Sequence, residues 1–217
     1  DNIPAVMELY LGGQAIGLST ADLLFGAVSP CGKLAESWPM RYTDCVSSTC
    51  YGKKDAHYRE GLYVGYRYYS SAGVPVRYPF GFGLSYTEFA YSDLKIDGST
   101  VTCTVTNVGT VAGKEIVQLY IAPPKGAFYR PVRELKGFAK VTLAPGESKE
   151  VSFPLNDRSF AIWNGGWEIP GGAYTVLVGS SCEDLPLSGD PERPWCKGRA
   201  YQPDRYSRKA PAEKTEE

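Results

Sequence analysis

Residues 100–122 read TVTCTVTNVGTVAGKEIVQLYIA. The first eight alternate strictly, with Val101, Cys103 and Val105 on one face and threonines on the other. That is the period of a strand with one side against a core. Asn107-Val108-Gly109 and Ala112-Gly113 bracket a turn, and Glu115–Ala122 is a second strand stopped by Pro123-Pro124. Working forward, 135–143 supplies a third strand, Pro145-Gly146-Glu147 turns it, and 148–155 (SKEVSFPL) is a fourth. Residues 160–163 and 173–179 (AYTVLVG) follow, with a Gly-Gly pair on each side of Trp167. Short strands at this spacing, in under about 100 residues, predict a β-sandwich of immunoglobulin-like type. The cysteine–tryptophan–cysteine spacing of antibody domains is missing, which points to the fibronectin-like branch.

Working backward, the texture changes. Residues 58–89 read YREGLYVGYRYYSSAGVPVRYPFGFGLSYTEF, with seven of the sixteen tyrosines and five glycines. Aromatic rings need packing partners and buried tyrosine hydroxyls need hydrogen bonds, so the segment reads as a folded seam between two structural units. Within it Leu62, Val64, Tyr66 and Tyr68 alternate with Tyr63, Gly65, Arg67 and Tyr69, predicting a short strand. Pro75 and Pro79 break regular structure after it.

Further back, residues 3–11 (IPAVMELYL) read as a buried strand, or a helix end followed by a strand, running into Gly12-Gly13. Residues 14–25 (QAIGLSTADLLF) place Ala15, Ile16, Ala21, Leu24 and Phe25 on a helical face, closed by Gly26 and Pro30. Strand, glycine turn and helix make an α/β unit, and ligands in such sheets gather at the carboxyl ends of strands. Gly12, Gly13 and Gln14 are therefore candidate site neighbours, against the simpler reading of a turn that needs glycine for its geometry. Residues 33–40 (KLAESWPM) read as an edge strand, and 41–56 as an exposed polar loop. The fold class predicted is α/β plus all-β.

At 217 residues and 43% apolar, the chain holds one large core or two small ones. Its net charge of −1 and pI near 6.0 give no basic surface for nucleic acid or an anionic membrane. No apolar run approaches the roughly 18 residues of a membrane span. A start at Asp1-Asn2-Ile3-Pro4, without methionine, reads as a piece of a longer protein or a processed terminus. Six cysteines in a chain of this length do not make a disulfide scaffold. Cys31 and Cys103 read as small buried hydrophobes, and Cys45–Cys50 and Cys182–Cys196 are the two pairs placed for a bridge. The lack of an evident pairing scheme leans towards a reducing, cytoplasmic setting. One histidine, His57, and no C-x-x-C give no zinc pattern, so no metal or other cofactor is expected. After Cys182 the chain is rich in proline and charge. Trp195, Tyr201 and Tyr206 offer packing anchors, and the last dozen residues read as disordered.

No Ser-His-Asp or Cys-His system can be built around a single histidine, and Gly81-Phe82-Gly83 lacks a phosphate-binding setting. Glu60 is the carboxylate of most interest, beside Arg59 and among tyrosines, where it finds donors and partial burial. It reads as an ion pair or hydrogen-bond anchor of the seam, as a substrate contact, or, least favoured, as a proton-transfer group. The tyrosines and tryptophans suit stacking on sugar rings and suit packing equally well.

The strings YREGLYVGYRYY and PVRYPFGFGLSYTEF, with YLGGQAIGLSTADLLFGAVSPCGKLAESWP before them, resemble the C-terminal part of glycoside hydrolase family 3, the β-glucosidases and relatives. VTNVGTVAGKEIVQLYIAPP, RPVRELKGFAKVTLAPGESKEVSFPL and GGAYTVLVGSS resemble that family's fibronectin type III-like domain. The resemblance runs over residues 1–182 in order. It implies three segments: the C-terminal part of an α/β sandwich domain with the aromatic seam (1–89), a fibronectin type III-like β-sandwich (90–182), and an extended tail (183–217).

It further implies a retaining hydrolase of β-linked glucosides or related sugars. Such an enzyme needs two carboxyl groups about 5 Å apart, one attacking the anomeric carbon and one protonating the leaving oxygen. In the family an aspartate on a (β/α)8-type barrel and a glutamate upstream of the glycine–glutamine turn do this work. No residue here matches either, so no catalytic residue is expected in this chain, which would be inactive without the barrel. Glu60, Arg59 and Gln14 remain as substrate-proximal candidates. The expected partners are a β-glucoside or oligosaccharide and the barrel domain, with no nucleic acid and no membrane. The alternative from another class is a non-catalytic carbohydrate-binding or structural β-sandwich module.

Overall fold

The computed structural model describes residues 3–55, 57–126, 129–191 and 199–200. Its centre is a sandwich of two antiparallel sheets. One sheet orders Phe89–Asp97 (β3), Thr100–Asn107 (β4) and Ser148–Pro154 (β7) as β3-β4-β7. The other orders Gly113–Ala122 (β5), Glu134–Leu143 (β6), Thr175–Gly179 (β10) and Leu187–Gly189 (β11) as β11-β10-β5-β6. The alternation in β4 is realised in full: Val101, Cys103 and Val105 are buried, while the threonines between them are only partly covered. They meet Val117, Leu119 and Ile121 of β5, Val151 and Phe153 of β7, and Val176 and Val178 of β10. A fully buried side chain of this size stabilises by about 1.5–3 kcal/mol relative to exposure, and this core holds many.

Residues 160–163, expected as a strand, divide differently. Asp157–Phe160 is one helical turn (α3), capped by the Asn156 side chain accepting from the Ser159 amide at 3.2 Å. Ile162–Trp163 (β8) then pairs with Trp167–Ile169 (β9), and Arg199–Ala200 (β12) pairs with β9 on its other side. The turn leaves Phe160 fully buried, edge-on to Tyr174 at 5.1 Å.

The first 88 residues carry far less regular structure. Ile16–Leu24 (α1) is the helix expected, though none of its residues is buried. Of the strand expected at 33–40 only Trp38–Pro39 (β1) forms, pairing with Val76–Tyr78 (β2). Residues 3–11 are not in a strand or a helix: Ile3, Val6 and Leu11 are exposed, Tyr10 sits at φ 48°, and there is no partner strand among the described residues. An apolar strand needs a neighbour for its backbone groups, and none is available here.

The segment from Leu62 to Tyr69 is not a strand. Gly65 turns the chain at φ 57° and ψ −131°, and Tyr66–Ala72 (α2) follows as a helix. Tyr66 and Tyr69, three residues apart, share the buried face, and Gly73 ends the helix in the left-handed conformation. The tyrosines alternate in sequence, but burial of the three-residue spacing decides the outcome.

Cys45 and Cys50 are both free thiols, so the bridge envisaged between them is absent; they flank a 3-10 turn, Val46–Thr49, rather than facing one another across a loop. Cys103 is buried as expected, and Cys31 is only partly so. Cys182 is a buried free thiol. Cys196, Trp195, Tyr201, Tyr206 and the last dozen residues lie outside the described residues. Among the described residues no helix is long and apolar enough to cross a membrane.

Candidate functional site

The strand β5 has both faces covered from Val117 to Ile121. One face belongs to the sandwich core. The other, with Gln118 and Tyr120, receives the aromatic seam. Tyr66 stacks on Phe80 at 4.8 Å between ring centroids and meets Tyr120 edge-on at 5.9 Å. Leu135, Leu177 and Leu185 close this second, smaller core. Each polar group drawn into it has a partner. The Tyr66 hydroxyl accepts from the Leu135 amide at 2.8 Å. Gln118 donates from Nε2 to the carbonyls of Gly81 (3.1 Å) and Ser180 (2.6 Å), while its Oε1 accepts from the Tyr120 hydroxyl at 2.6 Å. Gly81 is obligatory here: its φ is +82°, and a Cβ would overlap the Gln118 amide.

A buried ion pair fastens the other end of the seam. Lys33 Nζ lies 2.9 Å from Glu115 Oε1, with their side chains 10% and 6% exposed. Lys33 also donates to the Gly83 carbonyl at 3.2 Å, and the Tyr91 hydroxyl donates to Glu115 Oε1 at 3.1 Å. Near α2, Ser70 and Arg133 both donate to Glu183 Oε1 at 2.6 Å. These residues line a hollow of about 430 Å³ with Ser37, Tyr69 and Cys182.

The electrostatics of the seam oppose proton transfer. Burial pushes the Tyr91 phenol far above its ordinary range, and Glu115 adds to the effect. Burial does the same to Tyr120, with Cys182 and Tyr66 contributing. The Cys182 thiol is pushed up to about 12 by burial and the nearby Glu183, and the Cys103 thiol to about 11 by burial and Glu150. These shifts keep all four groups protonated at neutral pH, so none is a ready phenolate or thiolate base or nucleophile.

The three candidates from the sequence lie apart from this network. Gln14 lines an open hollow of about 420 Å³ at the start of α1, with Leu9, Gly12, Gly13, Ile16 and Leu23. Gly12 is needed for packing, since a Cβ there would overlap the Ile16 side chain. Arg59 is exposed and Glu60 half-buried, and neither lines either hollow. The Glu60 carbonyl accepts from the Tyr63 amide at 2.9 Å, but no hydrogen bond or ion pair reaches its carboxylate among the described residues. Among the described residues nothing anchors the Glu60 carboxylate, and Lys33–Glu115 and Gln118 fasten the seam. The signal for Gln118 was present in EIVQLYIA, where a glutamine and a tyrosine stand on the face opposite Val117, Leu119 and Ile121. Bulk on both faces marks a strand covered on both sides. Among the described residues no group of three His, Cys, Asp or Glu could hold a metal ion.

Comparison with known proteins agrees with this architecture. Residues 1–86 match the glycosyl hydrolase family 3 C-terminal domain, and 115–182 match a fibronectin type III-like domain. The thermostable β-glucosidase B of Acetivibrio thermocellus is 46% identical over 200 residues, covering 86% of this chain and 26% of that protein. An exo-α-(1→6)-L-arabinopyranosidase of Bifidobacterium breve is 43% identical over 194 residues, covering 85% of this chain and 26% of that protein. The crystal structure of a family 3 β-glucosidase from Bifidobacterium adolescentis superposes with a TM-score of 0.80 at 43% identity, over 90% of this chain and 30% of that one. The chain belongs to glycoside hydrolase family 3, of which it carries the C-terminal α/β portion and the fibronectin type III-like sandwich. It spans about a quarter of the length of the curated relatives it matches.

Proposed function

We propose that these 217 residues are the non-catalytic part of a retaining glycoside hydrolase acting on β-linked glucosides or related sugars. The observation that carries this reading is the share of each relative that the chain covers, about a quarter. A relative named as an arabinopyranosidase supports leaving the sugar as a class rather than as glucose alone. In this reading residues 1–89 complete an α/β domain and carry the seam, and 90–182 form the buttressing sandwich. The segment expected as a tail from 183 onward is not wholly one, because β11 adds an edge strand to the sandwich and β12 pairs with β9. The exposed apolar residues Ile3, Val6, Leu11, Leu18 and Phe25 support a further protein surface against this face, which we assign to the barrel-bearing part. Gln14, Arg59 and Glu60 would then border the sugar from the rim of that surface. Expressing residues 1–217 alone and assaying an aryl β-glucoside tests the reading. No turnover is expected, and turnover comparable to a full-length relative would overturn it.

One observation favours a second reading, a carbohydrate-binding role for the sandwich. Trp163 is 65% exposed at the tip of the β8–β9 hairpin and meets Trp167 edge-on at 5.4 Å. Exposed indoles stack on sugar faces. Calorimetric titration of the chain with cello-oligosaccharides separates the two: binding lost in Trp163→Ala supports this role, and no binding removes it.

A further inference from the structure

Glu134, at the start of β6, faces three cations. Arg130 Nη2 lies 2.8 Å and Lys136 Nζ 3.5 Å from its Oε2, and Arg67 Nη2 lies 4.0 Å from its Oε1. The group is largely withdrawn from water, with side chains 6% exposed for Arg130, 15% for Glu134, 17% for Lys136 and 36% for Arg67. One negative charge therefore stands against three positive ones where screening is weak.

The three cations are not equally satisfied. Arg130 holds Glu134 closely and also donates to the Phe160 carbonyl at 3.0 Å. Lys136 reaches Glu134 only at a distance beyond a good N–H···O bond. Arg67 touches it at the limit of an ion pair, and its buried Nε has no hydrogen-bond partner among the described residues. The local electrostatics agree. Burial pushes the Lys136 ammonium below its ordinary value against the pull of Glu134, and Arg130 and Arg67 push it the same way. Burial alone would raise the Glu134 carboxyl, yet Lys136, Arg130 and Arg67 hold it below its ordinary value. The local field is strongly positive, and buried cations without a counter-charge cost stability.

We propose that Arg67 and Lys136 together form a binding site for a small oxyanion, a carboxylate or a phosphate. Arg67 offers a planar fork that matches two oxygens, and Lys136 offers a compact point charge. The partial exposure of Arg67 gives the ligand its route from solvent. Because α2 belongs to the seam and β6 to the sandwich, the bound anion ties the two parts of the chain together.

The test is calorimetric titration of the chain with sodium phosphate and with sodium glucuronate, at ionic strength held constant with chloride, and with glucose as the neutral control. At least one anion binds one-to-one and raises the melting temperature by about 5 °C near saturation, while glucose does neither. Arg67→Met weakens that binding by about tenfold or more, the worth of a charge-assisted contact. If that variant does not fold, Lys136→Met is read in the same way. A preference for phosphate or for glucuronate identifies the source of the anion, and either supports the site. No saturable one-to-one binding of either anion, or binding unchanged in the folded variant, overturns it.

Discussion

The sandwich and the first 40 residues treat their apolar side chains in opposite ways. In the sandwich Val101, Leu119, Phe160, Tyr174 and Val178 are fully buried by other parts of the same chain. In the first 40 residues Leu11 and Phe25 are 101% and 88% exposed, and α1 buries nothing. Composition does not separate the two regions, since both are rich in Leu, Ile and Val. What separates them is whether the described residues supply the complementary surface. A core that the chain completes stabilises the chain, whereas a face it leaves open adds nothing until a partner covers it.

The largest expected effect tests that contrast directly. Phe160→Ala removes a fully buried ring that meets Tyr174 edge-on, and it should cost about 3–5 kcal/mol in a urea melt. Phe25→Ala, a ring of the same size on the open face, should cost under about 0.5 kcal/mol. Equal losses at the two positions would mean that the first 40 residues are covered by the chain itself, and the contrast would collapse.

The same contrast explains what could be read from the sequence. The alternation of β4 has its demand for burial met by partners among the described residues, β3 beside it in the chain and β7 more distant, so local pattern and final environment agree. Residues 3–11 carry an equally apolar pattern, but a pattern states a demand for burial and not its supply. The α2 helix differs from the strand expected because the tyrosines of VGYRYY suit a strand by propensity, whereas burial of Tyr66 against Tyr120 and Leu135, with Tyr69 buried three residues on, selects the helix. Gln14, Arg59 and Glu60 were reached through local context. Lys33 and Glu115, 82 positions apart in the chain, meet only in three dimensions, and neither tetrapeptide around them announces a buried ion pair.

That ion pair is the next place to apply force, because it joins the two regions. Lys33→Met leaves Glu115 buried with the Tyr91 hydroxyl as its remaining donor, which should cost about 3 kcal/mol. The loss is mostly the penalty of an uncompensated buried charge, so it is conditional on Glu115. The double variant Lys33→Met, Glu115→Leu should recover most of the stability in the same denaturation experiment. If the double variant is as unstable as the single one, the seam depends on the shape of the Lys33 side chain and its bond to Gly83 rather than on charge balance.

Glu60 gives the smallest expected effect on stability and the clearest separation of architecture from chemistry. It sits inside the seam segment, yet no partner holds its carboxylate among the described residues, while its main chain supports the turn into Tyr63. A glutamine keeps the shape and the main-chain bond and removes only the charge. In this chain Glu60→Gln should therefore change stability by less than about 0.5 kcal/mol, as expected for a half-buried group whose carboxylate has no partner among the described residues. A loss above about 1 kcal/mol would show that the carboxylate is tied into the seam and would place Glu60 with Gln118 and Glu115 as architecture. With stability unchanged, the same substitution in a protein carrying the barrel becomes a clean probe. A raised KM with kcat retained would mark Glu60 as a group that holds the sugar without taking part in bond cleavage.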